Sequence, residues 1–595
     1  MANYKAPVRD MQFVHYELLD GNKLTELPGY EEATEDLVHA VLEEAAKVAE
    51  GVLHPINRSG DEEGCTFENG VVRTPSGFKE AYDTFIEGGW TTLTCDPKYG
   101  GQGLPHSVGT LVSEMLSGAN HSFSMYPGLS HGAYNALEAH GTDELKDRFL
   151  PKLTEGTWAG TMCLTEPQCG TDLGLVRTKA IPQDDGSYKL TGTKIFISAG
   201  DHDLTENILH LVLARLPDAP EGIKGISLFL VPKYMPNDDD SVGPANGVTC
   251  GSIEHKMGIH GNATCVINFD DSTGWLVGEP HKGMRAMFTF MNTARLGVGL
   301  QGLAQGEAAY QGALEYARER IQGRSLTGTK EPEKKADSIL VHPDVRRMLL
   351  TIKAYTEGAR AMTAWIAQEI DYAHKSPDPE RAQQADDLAS LMTPIIKAIQ
   401  TDNGYEAANL GVQVFGGHGY IREHGMEQMI RDGRIAQIYE GTNGIQALDL
   451  VGRKLPTGMG RLLRRFFHPV QDFITTEMEN EEMEEFIMPL AKNFGRLQQV
   501  TAWLAEQGMK NPDEAGAASV EYLRMFGLVA MGYMWARMAK IGLAKQEGEE
   551  AVFYKSKVKT ARFFMARLLP QCGGLMASIM AGSSSIMDFE DELFG

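Results

Sequence analysis

The sequence has 595 residues, of which 42% are hydrophobic and 23% are charged, and its formal net charge is −25. A single hydrophobic core seldom grows beyond about 300 residues, so this length predicts several domains, and the composition excludes a largely disordered chain. The negative charge argues against a nucleic-acid partner because it repels a phosphate backbone. No stretch reaches the roughly 20 apolar residues of a membrane span, which leaves at most peripheral membrane contact.

The first quarter of the chain is predicted to be helical, and the next part is predicted to be rich in strands. Apolar residues recur at intervals of three and four over residues 31–52 and 130–156, which is the period of an amphipathic helix. Between about residues 159 and 282, short β-branched and aromatic runs alternate with turn residues, a pattern typical of strands. We predict strands at residues 188–191, 208–214, 226–231 and 265–269.

The helical period returns from about residue 283, with long segments at 296–323, 343–374 and 383–410. Residues 297–302 match the string G-x-G-x-x-G of dinucleotide-binding proteins. That fingerprint needs a preceding strand and a tight turn, which this part of the sequence lacks. We therefore predict one continuous helix here and no Rossmann site.

The last 140 or so residues are also predicted to be helical. Segments 462–508 and 516–547 carry apolar stripes and are separated by a break at Asn511 and Pro512, as expected where proline interrupts a helix. The basic and apolar run 461–467 suits either a membrane surface or a packed interface. We predict that it packs on the neighbouring domain.

The cysteines and the chain ends predict a cytosolic location. Seven cysteines are scattered along the chain without the spacing of a metal site, so we expect reduced thiols and no metal. The first ten residues lack the apolar core of a signal peptide. The last three residues do not form a peroxisomal targeting signal.

Glu440 is the strongest candidate for a catalytic group. It follows the apolar run 435–438 and precedes the small and polar residues 441–444. In an apolar pocket its charged form is disfavoured, which raises the pKa of a carboxyl group toward the range of a general base. The alternative is a helix N-terminus, with Thr442 or Asn443 as the cap and Glu440 as a solvated charge.

A second candidate is the glycine-rich segment 416–419, which follows a helical run. Its glycines permit backbone amides to approach a phosphate. The alternative is a simple helix terminator in which His418 is merely polar.

Five segments, in this order, closely resemble motifs of the acyl-CoA dehydrogenase family: residues 96–103, 163–172, 319–322, 413–420 and 439–446. The resemblance extends from about residue 35 to about residue 453. It implies an α+β multidomain fold, whose segments we predict as an N-terminal extension (1–34), an N-terminal helical domain (35–158), a central β-barrel or sandwich domain (159–282), a helical bundle (283–455) and an additional helical C-terminal domain (456–595).

The resemblance also implies chemistry. Family members oxidise acyl-CoA thioesters to trans-2-enoyl-CoA with tightly bound FAD and pass the electrons to electron-transferring flavoprotein. Glu440 matches the family's base, and the position before Arg295, where some members carry the base instead, is Ala294 here. The resemblance further implies a homo-oligomer, with a dimer favoured and a tetramer as the alternative.

The resemblance also assigns cofactor and substrate contacts to the residues of this sequence that match positions in the family motifs. The matching FAD contacts are Leu164, Thr165, Gly170, Thr171, Phe196, Ser198, Arg320, Gln322, Gln413, Gly416, Gly417 and Thr442, of which Arg320 and Gln322 resemble groups that reach the FAD of a neighbouring subunit. The matching substrate contacts are Thr171, Arg295, Tyr439 and Gly441. Three positions depart from the family pattern: Cys169, Arg324 and Gln428.

Several functions within this fold remain open. Among long family members the chain resembles bacterial long-chain or phenylacyl-CoA dehydrogenases and 3-methylmercaptopropionyl-CoA dehydrogenases, with medium to long acyl chains favoured. An acyl-CoA oxidase would reoxidise its flavin with O₂. A DNA-associated flavoprotein needs a basic groove. The basic cluster at Arg461, Arg464 and Arg465 is followed by six glutamates within residues 477–485, so its positive charge is countered nearby.

Overall fold

The computed structural model describes residues 3–595, which are mostly helical with a central sheet. The helices are α1 (Val8–Gln12), α2 (Glu35–Val48), α3 (Asn57–Glu63), α4 (Phe78–Glu87), α5 (His106–Ala119), α6 (His121–His140), α7 (Asp143–Glu155), α8 (Gly283–Glu319), α9 (Pro343–Lys375), α10 (Pro379–Phe415), α11 (Met426–Arg434), α12 (Asn443–Asp449), α13 (Arg461–Glu477), α14 (Glu484–Lys510), α15 (Pro512–Ala544), α16 (Ala551–Phe563), α17 (Cys572–Ile579) and α18 (Ser584–Met587).

The strands are β1 (Thr66–Glu68), β2 (Val71–Arg73), β3 (Trp158–Cys163), β4 (Lys179–Pro182), β5 (Tyr188–Ser198), β6 (Asn207–Arg215), β7 (Ile226–Pro232), β8 (Tyr234–Pro236), β9 (Val242–Ala245), β10 (Val248–Ile253) and β11 (Thr264–Val277). The largest sheet runs in the order β10-β11-β5-β4-β6-β3, and β7 pairs with both β11 and β6. The predicted α+β fold with a central β-domain between helical parts is confirmed.

The chain divides into two compact units. The first unit contains the described residues up to Glu43, residues 105–114 and residues 298–595, and the second contains residues 44–104 and 115–297. In the second unit the core is formed on both sides of the sheet, by Phe149, Trp158 and Phe290 on one side and by Leu190, Val212 and Phe229 on the other. The first unit is helical throughout its long elements.

Several elements differ from the sequence-based expectations in detail. Residues 130–156 form two helices, because α6 ends at His140 and Thr142 caps α7 through its side chain, which accepts from the Leu145 amide. Residues 297–302 lie within α8, as predicted, so the G-x-G-x-x-G string has no phosphate-binding turn. The segment 462–508 contains a break between α13 and α14.

The C-terminal helices pack on the bundle helices of the first unit. The Trp535 indole donates to the Ala354 carbonyl at 3.0 Å, which ties α15 to α9. Arg461 and Arg465 both donate to Asp387 on α10, so the basic run 461–467 contacts the neighbouring helices as predicted. Among residues 3–595, no helix combines the length and apolarity needed to cross a membrane.

Candidate active site

Glu440 lies in a short loop between the helical turn Ile435–Gln437 and α12. Its φ is +55° and that of Gly441 is +84°. A left-handed backbone costs an L-residue roughly 1–2 kcal/mol, so the surrounding structure must hold it in place. Gln446 on α12 does so from one side, since its amide donates to the carbonyl oxygens of Glu440 (3.3 Å) and Gly441 (2.9 Å).

Tyr439 fixes the other side of this loop. Its hydroxyl donates to the side-chain carbonyl of Gln301 on α8. Burial, with a further contribution from the charge of Glu440, raises the pKa of Tyr439, so the phenol stays protonated and keeps its donor. Gln301 was not among the predicted site residues, because one glutamine within a helix carries no local signal of this long-range contact.

The helix-start interpretation of this segment is correct in part. α12 begins at Asn443 and Thr442 occupies its N-cap position, but the Thr442 hydroxyl donates to the Gln437 carbonyl at 3.2 Å and does not cap the helix. Glu440 precedes the cap by two residues and is only partly exposed. It is therefore not a solvated charge in the first helical turn.

A second group of predicted residues lies where α8 and α10 end. Arg320 and Gln322 follow α8, and Gly416 ends α10 with φ +59° and ψ −137°. The two helix ends meet through Tyr316, whose ring stacks on Phe415 at 4.1 Å between centroids and whose hydroxyl lies 2.8 Å from His418 Nδ1.

The glycines of this group combine both predicted roles. The Gly416 amide donates to the Gln413 carbonyl, so Gly416 does terminate the helix. Gly416 and Gly417 are exposed, and a Cβ placed on either would meet no atom within 4 Å. Open space beside an exposed glycine backbone is what close approach of a pyrophosphate requires.

The group around Gly416 and the loop of Glu440 are attached to different parts of α10. The loop is bonded near Thr401, whose hydroxyl accepts from the Asn443 side-chain amide at 3.0 Å. Gln413 is 12 residues further along the helix, which corresponds to about 18 Å at 1.5 Å per residue.

In the second unit, an irregular stretch of β5 presents Phe196. The register between β5 and β11 shifts between Cys265 and Ile267, and Phe196 has φ +58°. A bulge of this kind turns a side chain out of the regular alternation, and the Phe196 side chain is 59% exposed. The Ile195 amide donates to the Thr165 carbonyl at 2.9 Å, which places Thr165 beside the bulge.

A buried ion pair joins the segment after β3 to β5. Lys194 Nζ lies 2.8 Å from Glu166 Oε1, with 0% and 3% of the side chains exposed, and Lys194 also donates to the Leu164 carbonyl at 3.0 Å. Burial alone would raise the pKa of Glu166, but Lys194 and the hydrogen bonds from Thr178 and the Arg177 amide outweigh it and lower the pKa to about 2. Glu166 is therefore a charged structural anchor.

Sequence reasoning assigned no role to this pair. The sequence of β5 did contain a signal. Leu190 and Lys194 are four residues apart, so their side chains lie on the same face of the strand, and both are buried. A lysine at an inward position implies a buried partner, since an unpaired charge in the core is strongly unfavourable.

The other predicted site residues of the second unit lie in the segment after β3, on β5 or on α8. Gly170 is exposed, and a Cβ on it would lie 3.7 Å from the Thr165 methyl group, while Thr171 is exposed beside it. Ser198 is partly buried and pairs with Thr264 on β11. Arg295 is buried, with its guanidinium 5.7 Å from the centre of the Phe288 ring.

Each unit, taken by itself, carries groups that suit a part of a flavin dinucleotide. The exposed Phe196 ring offers an aromatic face to a flat heterocycle, the Thr165 segment beside it is rigidly anchored, and the open glycines at the end of α10 suit a phosphate group. Within residues 3–595 no group of three or more His, Cys, Asp or Glu side chains is arranged to hold a metal ion.

Four domain families match the chain in sequence. They are acyl-CoA dehydrogenase N-terminal domain over residues 36–157, its middle domain over 161–272, its C-terminal domain over 281–455, and an acetyl-CoA dehydrogenase C-terminal-like domain over 466–590.

Relatives that match over essentially their whole length include the following two. The chain is 42% identical to a 3-methylmercaptopropionyl-CoA dehydrogenase of Ruegeria pomeroyi, covering 98% of this chain and 99% of the relative. It is 36% identical to a butyryl-CoA dehydrogenase of Syntrophomonas wolfei, covering 100% and 99%.

A solved structure with the same fold is an acyl-CoA dehydrogenase complexed with FAD from Bacillus anthracis, with a TM-score of 0.74, 21% identity, and coverage of 96% of this chain and 92% of that one.

The fold and the sequence matches define an FAD-dependent flavoprotein dehydrogenase. The chain belongs to the acyl-CoA dehydrogenase family. The family predicted from the five motifs is therefore confirmed, and so are its cofactor, FAD, and its class, an oxidoreductase.

Proposed function

We propose that this protein converts a saturated acyl-CoA thioester to its trans-2-enoyl-CoA, with Glu440 as the base that removes the α-proton. The observation that carries the proposal is the position of Glu440, whose left-handed backbone is held by Gln446 on one side and by the Tyr439 hydroxyl bond to Gln301 on the other. Backbone strain maintained by surrounding contacts is a feature of functional sites.

The chemistry requires a base and a means of stabilising negative charge. The α-proton of a thioester is only weakly acidic, so a positioned carboxylate must act together with donors aimed at the developing enolate oxygen. By family resemblance the backbone amide of Glu440 is one such donor. FAD, when bound, supplies the acceptor for the hydrogen and electron pair leaving the β-carbon.

The residues proposed to hold FAD divide by unit. In the second unit, Leu164, Thr165, Gly170, Thr171, Phe196 and Ser198 are proposed to contact the flavin. In the first unit, Arg320 and Gln322 are proposed to reach the FAD of a neighbouring subunit, Gln413, Gly416 and Gly417 are proposed to contact a pyrophosphate, and Thr442 is proposed to make another FAD contact. Substrate contacts are proposed for Thr171, Arg295, Tyr439 and Gly441. The stacked Tyr316 and Phe415 rings support the grouping of Arg320 with Gly416.

The acyl group is proposed to be an unbranched chain or its thioether counterpart. The two full-length relatives described above carry names with a methylmercaptopropionyl and a butyryl group. Both groups are unbranched chains attached to the thioester. The methylmercaptopropionyl group is a butyryl group with one sulfur atom inserted before its terminal methyl group. The thioether substrate is the second candidate because the relative named for it is 42% identical.

The deciding experiment is anaerobic flavin absorbance of the purified protein and of Glu440→Gln during titration with acyl-CoAs. The panel contains butyryl-CoA, longer saturated chains, an aryl example and 3-methylmercaptopropionyl-CoA. Bleaching of wild type by some thioesters, with a loss of about 10³-fold or more in rate in Glu440→Gln, is expected for removal of an essential base. Flavin that no thioester reduces in wild type would contradict the proposal.

We further propose a cytosolic enzyme of fatty-acid or related acyl-CoA oxidation that acts as a homodimer and passes its electrons to electron-transferring flavoprotein. Steady-state assays separate this acceptor from O₂: reduction of electron-transferring flavoprotein without hydrogen peroxide supports a dehydrogenase, and peroxide formation at a comparable rate indicates an oxidase. Size-exclusion chromatography with light scattering measures the assembly.

A further inference from the structure

One carboxylate oxygen of Asp402 closes the base of the loop that carries Glu440. Asp402 Oδ1 on α10 accepts from the Gln437 side-chain amide at 2.7 Å and from the Asn443 side-chain amide at 2.8 Å. Gln437 precedes the loop and Asn443 follows it, so the same oxygen bonds both flanks of residues 438–442. We call Asp402, Gln437 and Asn443 the Asp402 clasp.

Both polar atoms of the Asn443 side-chain amide form hydrogen bonds. Its oxygen accepts from Lys397 Nζ at 2.9 Å, and its amide also donates to the Thr401 hydroxyl at 3.0 Å. Lys397 and Thr401 are buried in α10. The clasp is therefore built on a rigid helix and not on a second loop, which favours precise placement of the side chain it supports.

The turn of α10 that carries the clasp is itself pinned by α15. A Cβ on Gly527 would lie 2.4 Å from the Ile399 side chain, so the two helices are in very close contact. One turn along, Arg524 donates to the Asn403 side chain at 3.4 Å. The C-terminal helices thus support the helical turn from which Asp402 reaches the loop.

We propose that Asp402 is a positioning residue that holds Glu440 in its reactive geometry by closing both flanks of the loop. This inference rests on the proposed role of Glu440 as the base. The left-handed conformation at Glu440 is unfavourable by itself, so a loop released at its base relaxes toward ordinary backbone angles and moves the carboxylate. Displacement of a catalytic group by about 1 Å costs on the order of 10²-fold in rate.

The test separates the rate of flavin reduction from substrate binding. Anaerobic stopped-flow with increasing butyryl-CoA, or with the thioester that wild type oxidises fastest, gives the limiting reduction rate and the apparent dissociation constant. For Asp402→Ala we expect a fall of about 20- to 100-fold in the limiting rate, with the dissociation constant within about threefold of wild type. Asp402→Asn retains an oxygen that accepts from both amides, so its rate is expected within about fivefold of wild type.

Two further variants complete the test. Gln437→Leu removes one donor and leaves Asp402 in place, and a fall of about fivefold or more in the limiting rate is expected. Glu406→Ala is the matched control, since Glu406 is an exposed carboxylate one turn further along α10, and it is expected to behave as wild type. If Asp402→Ala does not yield folded flavoprotein, Gln437→Leu and Asp402→Asn decide the question.

Three outcomes would overturn the proposal. An unchanged limiting rate in both Asp402→Ala and Gln437→Leu shows that the clasp does not position the base. A loss in Asp402→Asn as large as that in Asp402→Ala shows that bridging by the oxygen is not its role. A Glu440→Gln variant that reduces its flavin at the wild-type rate rejects the base itself, which distinguishes failure of the proposed function from failure of the clasp.

Discussion

Lys194 Nζ and Glu166 Oε1 lie 2.8 Å apart in the interior of the second unit, with both side chains shielded from solvent. Glu166 also accepts from the Thr178 hydroxyl at 2.6 Å and from the Arg177 amide at 2.7 Å. The pair therefore fastens the segment carrying Leu164 and Thr165 to β5, two residues before the exposed Phe196. Loss of this ion pair is therefore expected to reduce stability and to disturb the proposed flavin-binding surface.

Replacing one member of this pair is expected to be strongly destabilising. Lys194→Met leaves the Glu166 carboxylate buried without its cation, which costs about 3–5 kcal/mol. The double variant Lys194→Met/Glu166→Leu is expected to lose less than the sum of the two single variants, and urea unfolding measures this coupling. Lys98→Met is the control: its pair with Asp147 is exposed, so it is expected to cost less than about 1 kcal/mol.

Phe196→Leu is expected to weaken FAD binding without destabilising the apoprotein. The ring is 59% exposed, so its removal exposes little core, while loss of an aromatic stacking partner costs about 0.5–1.5 kcal/mol, or roughly two- to tenfold in affinity. Fluorescence titration of apoprotein with FAD measures the change. Ile223→Ala, at a side chain 51% exposed in the same unit, should leave the affinity at the wild-type value, and an equal loss there would remove the case for Phe196.

Gly416→Ala is expected to impair FAD binding more than Gly417→Ala does. Both positions have open space for a Cβ, but only Gly416 has a positive φ, at +59° with ψ −137°. A residue with a side chain in that conformation is strained by about 1–3 kcal/mol, so the end of α10 should rearrange. Flavin content after gel filtration compares the two variants, and equal retention of FAD would show that this backbone angle is not needed.

The bond between Tyr439 and Gln301 predicts energetic coupling in catalysis. In the cycle of Gln301→Leu, Tyr439→Phe and the double variant, a hydrogen bond that acts on Glu440 gives a coupling energy of about 0.5–1.5 kcal/mol in the limiting rate of flavin reduction. Additive losses in the double variant would show that the two side chains act independently on the reaction.

Glu114 predicts a pH dependence of stability. It lies in a buried cluster around Arg360, whose guanidinium also pairs with Asp10 and Glu307. Burial, reinforced by the neighbouring carboxylates, raises the pKa of Glu114 to about 7 despite the attraction of Arg360. Because this folded-state pKa exceeds the ordinary value, the contribution of its protonated form is complete below about pH 4.5 and is lost as the pH rises through about 7.

Glu114→Gln removes this titration, since glutamine stays neutral. The Tm of the variant relative to wild type is therefore expected to rise between pH 5.5 and pH 8. Differential scanning calorimetry across this range measures the difference, with Glu406→Gln at an exposed position as the control. A difference that stays constant with pH would contradict the raised pKa of Glu114.

The sequence was most informative where a pattern is local. The period of apolar residues located α8, α9 and α10, and the absence of a strand before residues 297–302 correctly excluded a Rossmann turn. It was least informative where conformation depends on distant partners. The left-handed backbones of Phe196 and Glu440 are disfavoured by their own side chains and exist because Thr165, Gln446 and Gln301 hold the adjoining segments.

The sequence by itself determined the family, the cofactor and the candidate base, because a reaction at a flavin requires particular side chains at fixed places in short motifs. Only the tertiary structure decided how those motifs are held. Asp402 lies 38 residues before Glu440 in the chain and Gln301 lies 139 before it, and neither belongs to any of the five family motifs. Their contacts arise from helix packing, which brings α8 and α10 to the loop of Glu440 and has no signature in local sequence.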